Sequence, residues 1–139
     1  MTNLDLSKSY LIKAEKRLKI LEVLLREDDY SDVIREAQEI VELSLKALLR
    51  FKGIDVPKIH EVSGLILKFK ERLSPSLKKN LRRIVRISRY LRKERELSFY
   101  GDIDFIPTEM YSRLDAQKAI LDSHFIVRVV KKEFSHKYK

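Results

Sequence analysis

The stretch that decides the fold is residues 34–49, IREAQEIVELSLKALL. Its apolar side chains recur three or four residues apart, which places them on one face of an α-helix; they are Ile34, Ala37, Val41, Leu45 and Leu48. Ile40 and Leu43 lie outside that stripe and widen the apolar surface. A helix that is apolar over so wide an arc is buried on several sides. The stretch therefore predicts a central helix of a bundle, or one that adds a second face for a dimer.

Other helical patterns flank this stretch on both sides. Apolar residues at helical spacing predict a first helix over residues 4–27, and Gly53 supplies a left-handed stop for the second helix. A short third helix follows, and its inward-facing residues are Val62, Leu65, Ile66 and Phe69. The Ser-Pro pair at 74–75 opens a fourth helix, and the Pro-Thr-Glu segment at 107–109 opens a last helix that reaches about residue 132.

The number of helices and their short connections predict the architecture. The chain has only three Gly and three Pro, which favours long helices over strands. We expect an all-α fold, an up-down antiparallel four-helix bundle with an extra short helix. Residues 1–132 would form this single domain, and residues 133–139 would form a basic C-terminal tail.

Composition excludes several classes of protein. The 139 residues contain no cysteine, so disulfides and thiolate chemistry are impossible. The three histidines are far apart, and we expect no metal site, no cofactor and no catalytic residue set of a self-contained hydrolase. The first residues lack a signal peptide pattern and no apolar run is long enough for a membrane span, so we expect a cytoplasmic protein. The net charge of +9 favours an acidic partner.

The predicted fourth helix concentrates this positive charge. Its core face is Leu77, Leu81, Ile84, Ser88 and Leu91. The opposite side is a basic surface that consists of Lys78, Lys79, Arg82, Arg83, Arg86, Arg89 and Lys93. Such a surface would bind RNA, phosphate or an acidic protein. The alternative is a solvated helix face that acids on neighbouring helices, such as Glu36 or Glu39, balance.

Arg95 falls on the core side of the same helix, where a permanent charge needs an anionic partner or a wet cleft. Asp102 is one candidate partner, in a clamp that fixes the turn. The other interpretation is a cleft in which Arg95 meets a phosphate. Glu42 and Lys46 have the spacing of a helix ion pair. His60 precedes the third helix, as a cap, a buried hydrogen-bonding group or part of a site.

Three segments resemble the HEPN family of small helical-bundle proteins. Residues 35–49 are similar to the family's second-helix pattern, and Gly53 followed by PKIHE at 57–61 resembles its Pro-x-x-His connection. The segment RELSFYGD at 95–102 looks like the family's Arg…Tyr-(Gly or Pro)-Asp turn. The likeness covers roughly residues 8–130, including a last helix with Tyr111, Ala116 and Ala119.

The resemblance implies a homodimer of bundles with a cleft near the interface, often paired with a minimal nucleotidyltransferase or part of a toxin–antitoxin system. Many family members are ribonucleases whose site is an Arg followed after four to six residues by a His. This chain departs from that motif, because Tyr100, Gly101 and Asp102 occupy those positions after Arg95. None of them replaces an imidazole as acid and base near neutral pH.

We therefore expect a nucleotide- or RNA-binding HEPN protein, dimeric and partnered with a nucleotidyltransferase subunit. Arg95 and Arg92 would contact phosphate, with Tyr100, Asp102 and His60 around the cleft. One alternative is a metal-independent ribonuclease with a non-standard site that uses Arg95 with Tyr100 or His60. A second alternative is a protein-interaction module that uses the basic helix.

Overall fold

The computed structural model describes residues 2–58 and 62–135, and helices are the main secondary structure of these residues. No helix in this part of the chain is both long and apolar enough to cross a bilayer. The described residues form seven α-helices and a 3₁₀ turn at Lys70–Arg72: α1 (Asn3–Arg26), α2 (Tyr30–Phe51), α3 (Val62–Lys68), α4 (Pro75–Lys79), α5 (Leu81–Phe99), α6 (Pro107–Met110) and α7 (Arg113–Phe134).

The long helices α1, α2, α5 and α7 run in alternating directions. Arg50 near the end of α2 binds Asn3 at the start of α1, so these two helices are antiparallel. Arg113 at the start of α7 reaches Asp28 beyond the end of α1, which makes α7 antiparallel to α1. The second half of α5 meets the middle of α2, while the start of α4 meets the end of α7. The predicted all-α, up-down antiparallel bundle is confirmed.

The central position predicted for α2 is also confirmed. This helix packs against α1, α5 and α7. Ile34, Leu45 and Leu48 on the apolar stripe are fully buried, and so is Ile40, which points away from that stripe. Burial on several sides is the consequence of the wide apolar arc.

The predicted fourth helix is divided into α4 and α5 at Asn80. Ser74 begins α4 as expected, because its side chain accepts from the backbone N–H of Leu77 and Pro75 occupies the first turn. The Asn80 side chain then donates to the carbonyl of Ser76 at 3.1 Å, and its backbone N–H bonds three residues back to Leu77. Such local bonds compete with the regular helix ladder.

The predicted last helix is likewise divided, and the expected start at residue 107 is wrong for its main part. Residues 107–110 form only the one-turn helix α6, after which Tyr111 and Ser112 are extended. The long helix α7 starts with a capping box, in which the Ser112 side chain accepts from the Asp115 N–H and the Asp115 carboxylate accepts from the Ser112 N–H.

The expected boundary of the tail also needs correction. Helix α7 continues to Phe134, and the Phe134 ring stacks on Phe51 with 4.2 Å between centroids. Glu133 is 1% exposed and accepts hydrogen bonds from the backbone and side chain of Ser74. Residues 133 and 134 therefore belong to the bundle, and residues 136–139 lie outside the described part.

Candidate functional site

Arg95 lies at the seam between α5 and α2, where charged side chains of both helices meet. Its guanidinium is 3.1 Å from a carboxylate oxygen of Glu39 and 3.7 Å from one of Glu42. Arg92, one turn earlier, donates to Glu42 at 2.9 Å. With Arg35 (3.5 Å from Glu39) and Lys46 (3.6 Å from Glu42), these residues form what we call the arginine cluster. The Glu42–Lys46 pair predicted from the sequence is present.

The arginine cluster contains more positive than negative charge. It combines four cations, namely Arg35, Lys46, Arg92 and Arg95, with the two carboxylates of Glu39 and Glu42, and Arg35 also interacts with the Asp32 carboxyl of a neighbouring cavity. The side chain of Arg92 is 51% exposed and that of Arg95 is 32% exposed. Gln38 and Ser88 line a small cavity of about 10 Å³ beside Arg92. The cluster is therefore a half-exposed cationic surface with its arginines held in place by carboxylates.

The proposed clamp between Arg95 and Asp102 is wrong. After α5 ends, Gly101 takes a left-handed φ of +72° and the chain folds back through a bridge between Asp102 and Phe105. The Asp102 carboxylate accepts from the backbone N–H of Ile103 at 2.7 Å. The turn directs Asp102 to its own loop, whereas the helical register of α5 directs Arg95 to α2.

Tyr100 lies beside a different cavity. Its side chain is 73% exposed and its ring contacts Phe99 edge to face, with 4.9 Å between centroids. The Arg35 guanidinium stacks on the Phe99 ring, with its Cζ 5.0 Å from the ring centroid. The cavity has a volume of about 590 Å³, and we call it the acidic cavity; its lining consists of Glu27, Asp28, Asp29, Ser31, Asp32, Phe99, Tyr100, Pro107 and Thr108.

The acidic cavity has a strongly negative lining. Burial and the adjacent carboxyl of Asp29 raise the pKa of Asp32 from 3.8 to about 6, against the opposing effect of Arg35. Near neutral pH the carboxylates therefore repel one another and repel other anions. Tyr100 and Arg95 are thus brought to the same end of the bundle, but a phosphate beside Tyr100 would meet negative charge.

The histidines give no imidazole at the arginine cluster in the part of the chain that the structure describes. His60 and His136 lie outside the described residues. His124 is exposed on α7. The described residues also contain no group of His, Asp and Glu side chains that would hold a metal ion.

The predicted basic surface is divided between two sides of α5. On the side of α3 and α4 lies a groove of about 670 Å³, which we call the basic groove; its lining is Leu67, Lys78, Lys79, Leu81, Arg82, Val85, Arg86 and Arg89. Arg83 instead points toward α7, where its guanidinium carbon lies 3.7 Å from the Phe125 ring centroid. Lys93 is exposed on the second half of α5, beyond the groove.

Sequence reasoning named Glu39 as an acid that could balance the basic helix face and Glu42 as the partner of Lys46, but it did not connect either carboxylate to Arg95. Glu39 and Glu42 are three residues apart and therefore share a face of α2. That spacing indicates that the two carboxylates face the same side of α2, but it does not specify which cation they meet. Leu67 was also missed, because an exposed leucine on a short helix has no distinctive pattern.

Known proteins resemble this chain over most of its length. A family model described as HEPN domain matches residues 7–133. The Methanocaldococcus jannaschii protein "Putative toxin MJ1304" is 27% identical over 142 residues, which cover 98% of this chain and 93% of that protein.

Two solved structures share the fold. ST0689, described as an archaeal HEPN homologue, has a TM-score of 0.71 at 24% identity and covers 93% of this chain and 98% of its own. TT1696 from Thermus thermophilus has a TM-score of 0.74 at 22% identity and covers 91% of this chain and 97% of its own. Identities this low show the fold alone. The family model, in contrast, spans nearly all of the sequence, and the chain therefore belongs to the HEPN domain family.

Proposed function

We propose that this HEPN-domain protein binds the phosphate of a nucleotide or RNA at the arginine cluster and acts as the toxin-like member of a two-protein system. The observation that supports the proposal is the unequal charge of the cluster, in which four cations surround Glu39 and Glu42. A phosphate would add the negative charge that this arrangement lacks.

The carboxylates prepare the arginines for such a ligand. A guanidinium has five N–H donors in a fixed fork, so the bonds to Glu39 and Glu42 leave further donors on Arg92 and Arg95. Arginine forks match phosphate oxygens bidentately, and such charge-assisted bonds are about twice as strong as neutral ones. Because the carboxylates already hold both side chains, less conformational entropy is lost when a phosphate binds.

The substitution Arg95→Gln tests this proposal. We expect affinity for ATP, measured by isothermal titration calorimetry, to fall about tenfold, which corresponds to one charge-assisted contact of about 1.4 kcal/mol. The melting temperature should drop by only a few degrees, since half-exposed ion pairs contribute at most about 1 kcal/mol.

Arg17→Gln is the matched control. Arg17 also pairs with a glutamate of α2, Glu36, at 2.7 Å, and is similarly exposed, but it lies on α1 away from the cluster. Equal loss of ATP affinity in the two variants would contradict a site at Arg95, and so would unfolding of the Arg95 variant.

The toxin-like role, the homodimer and a nucleotidyltransferase partner are parts of the same proposal. The relative with the toxin name supports the first of them. Analytical ultracentrifugation tests the dimer, and growth of cells that express the chain with and without a coexpressed nucleotidyltransferase tests the pair. Unimpaired growth under strong expression of the chain alone would contradict a toxin.

A metal-independent ribonuclease is the second candidate, because a half-exposed arginine such as Arg95 would stabilise a phosphate that carries developing charge. The acidic groups beside Arg95 in the described residues, Glu39 and Glu42, are both engaged in ion pairs. Incubation with total RNA at neutral pH decides between binding and cleavage, and intact RNA would eliminate this candidate.

A further inference from the structure

The basic groove is separate from the arginine cluster and has a different construction. It lies where α3 faces α4 and the first half of α5, whereas Arg92 and Arg95 face α2 from the second half of α5. None of the described residues that line the groove is acidic. A ligand of the arginine cluster therefore leaves the charge of this groove unexplained.

Most of the groove's positive charge is unbalanced within the described residues. Lys78 forms an exposed ion pair with Glu71 at 3.2 Å. Arg89 donates to the hydroxyl of Ser63 at 3.3 Å, which fixes its position without neutralising it. Lys79, Arg82 and Arg86 form no ion pair within 4 Å with any residue in 2–58 or 62–135, although Arg86 interacts electrostatically with the Asp122 carboxyl of α7. Cations this close repel one another, so an anion in the groove would be strongly favoured.

The floor of the groove is apolar, although its walls are charged. Leu67 from α3 is 37% exposed there, next to Leu81 and Val85 of α5. A double helix presents phosphates and sugars to such a surface and would leave the floor uncovered. An unpaired base, in contrast, has an apolar face that packs on such side chains while its phosphates meet the cations.

The cations also have a regular spacing along the groove. Arg82, Arg86 and Arg89 follow each other by about one helical turn, so that successive positions are about 6 Å and about 4.5 Å apart along the axis. This is on the order of the distance between successive phosphates of an extended single strand. A free phosphate or mononucleotide would use only one or two of these positions.

We propose that the basic groove is a second nucleic-acid site that binds a short single-stranded segment, with bases on Leu67 and Leu81 and phosphates on Lys79, Arg82, Arg86 and Arg89. It would hold the strand away from the arginine cluster. The groove does not depend on the nucleotide site proposed above, because no residue is common to both.

Fluorescence anisotropy with a labelled oligo(U) of about 12 nucleotides tests the proposal. We expect the wild-type protein to bind this strand, and its DNA equivalent, several-fold more tightly than a duplex of equal length. Between about 50 and 200 mM salt, the slope of log K against log salt should be about −2 to −3, which corresponds to three or four phosphates. Tighter binding of the duplex would overturn the proposal, because charge alone favours the polyanion of higher density.

Two variants test separately the charged walls and the apolar floor of the basic groove. Arg82→Gln with Arg86→Gln should weaken binding at least tenfold and make the slope shallower by about 1.4, or two phosphate contacts. Leu67→Gln should leave the slope unchanged and remove the preference for the single strand over the duplex. All three positions are exposed enough for the fold to tolerate these changes.

Lys13→Gln with Lys16→Gln is the control of equal charge, since both lysines are exposed on α1. This control should change affinity less than twofold. An equal loss in the control, or binding only of an acidic protein with no affinity for either single strand, would overturn the proposal. Retained ATP binding in the groove variants would show that the arginine cluster is intact.

Discussion

Gly101 occupies the tightest point of the turn that follows α5. Its φ is +72°, and a Cβ atom built there would collide with the carbonyl oxygen of Phe105 and lie 2.6 Å from the Pro107 ring. We predict that Gly101→Ala lowers the free energy of unfolding by about 2 to 4 kcal/mol, as the sum of left-handed strain and steric overlap. Chemical denaturation measures this loss.

Gly53→Ala provides the control for Gly101→Ala. Gly53 has a nearly identical φ of +75°, but an added Cβ would meet nothing within 4 Å. This substitution should cost only the backbone strain, about 1 to 2 kcal/mol. If both variants lost equal stability, close approach at Gly101 would not be the reason for glycine in the Tyr-Gly-Asp turn.

Single residues were also where sequence reasoning was least complete. Arg95 was predicted on the core side of its helix and does face α2, because helical register is a local property. Its partner was sought nearby at Asp102, whereas the carboxylates it meets are on α2. A contact between helices depends on how the bundle packs, and no pattern within either helix specifies it alone.

Helix α7 owes its starting point to the capping box at Ser112. We predict that Ser112→Ala lowers stability by about 1 kcal/mol, because the Asp115 N–H loses its acceptor. Thermal unfolding followed by circular dichroism measures it. Thr108→Ala in the one-turn helix α6 is the control and should change stability by less than about 0.5 kcal/mol. A larger effect at Thr108 would contradict this prediction, because it would indicate that the long helix starts at α6.

The elements themselves were largely predictable, and their interruptions were not. The central α2 and the core faces of α1 and α5 follow from apolar periodicity. The Ser112-x-x-Asp115 pattern is a known start signal, but Pro107 five residues earlier is an equally good one. The break at Asn80 depends on a side-chain bond to Ser76, which competes with helix continuation too evenly for sequence to decide.

Glu133 connects three helical segments at one end of the molecule. This buried carboxylate of α7 accepts from Ser74 at the start of α4 and lies 2.9 Å from the ammonium of Lys52, just beyond α2. Burial opposes its ionisation, but the hydrogen bonds from Ser74 and Lys52 outweigh burial and hold the pKa of Glu133 below its usual 4.5.

We therefore expect low pH to lower the free energy of unfolding of the bundle. Because the pKa of Glu133 is lowered on folding, its contribution is complete above about pH 4.5 and is lost as pH falls through the folded-state value. We predict that Glu133→Gln lowers stability by about 3 kcal/mol at pH 7 and that the difference from wild type shrinks below pH 4.5. Denaturation across this pH range measures both effects.

Glu71→Gln is the control for Glu133, since Glu71 pairs with Lys78 on the open surface. An exposed pair contributes at most about 1 kcal/mol, and its removal should leave the pH dependence of the free energy of unfolding below pH 4.5 unchanged. A profile of Glu133→Gln that stayed parallel to wild type at every pH would contradict the role of this carboxylate.

The basic groove and the acidic cavity distribute charge unevenly along the molecule. Arg82 and Phe99, which lie at the two sites, are 17 residues apart on the same straight helix, or roughly 25 Å. At the far end of α5 the carboxylates of the acidic cavity offset the arginine cluster, whereas no acid lines the basic groove, so positive potential is concentrated at the groove end of the helix. A polyanion that diffuses toward the protein would therefore turn it before contact, and would arrive at the groove with the acidic cavity facing away.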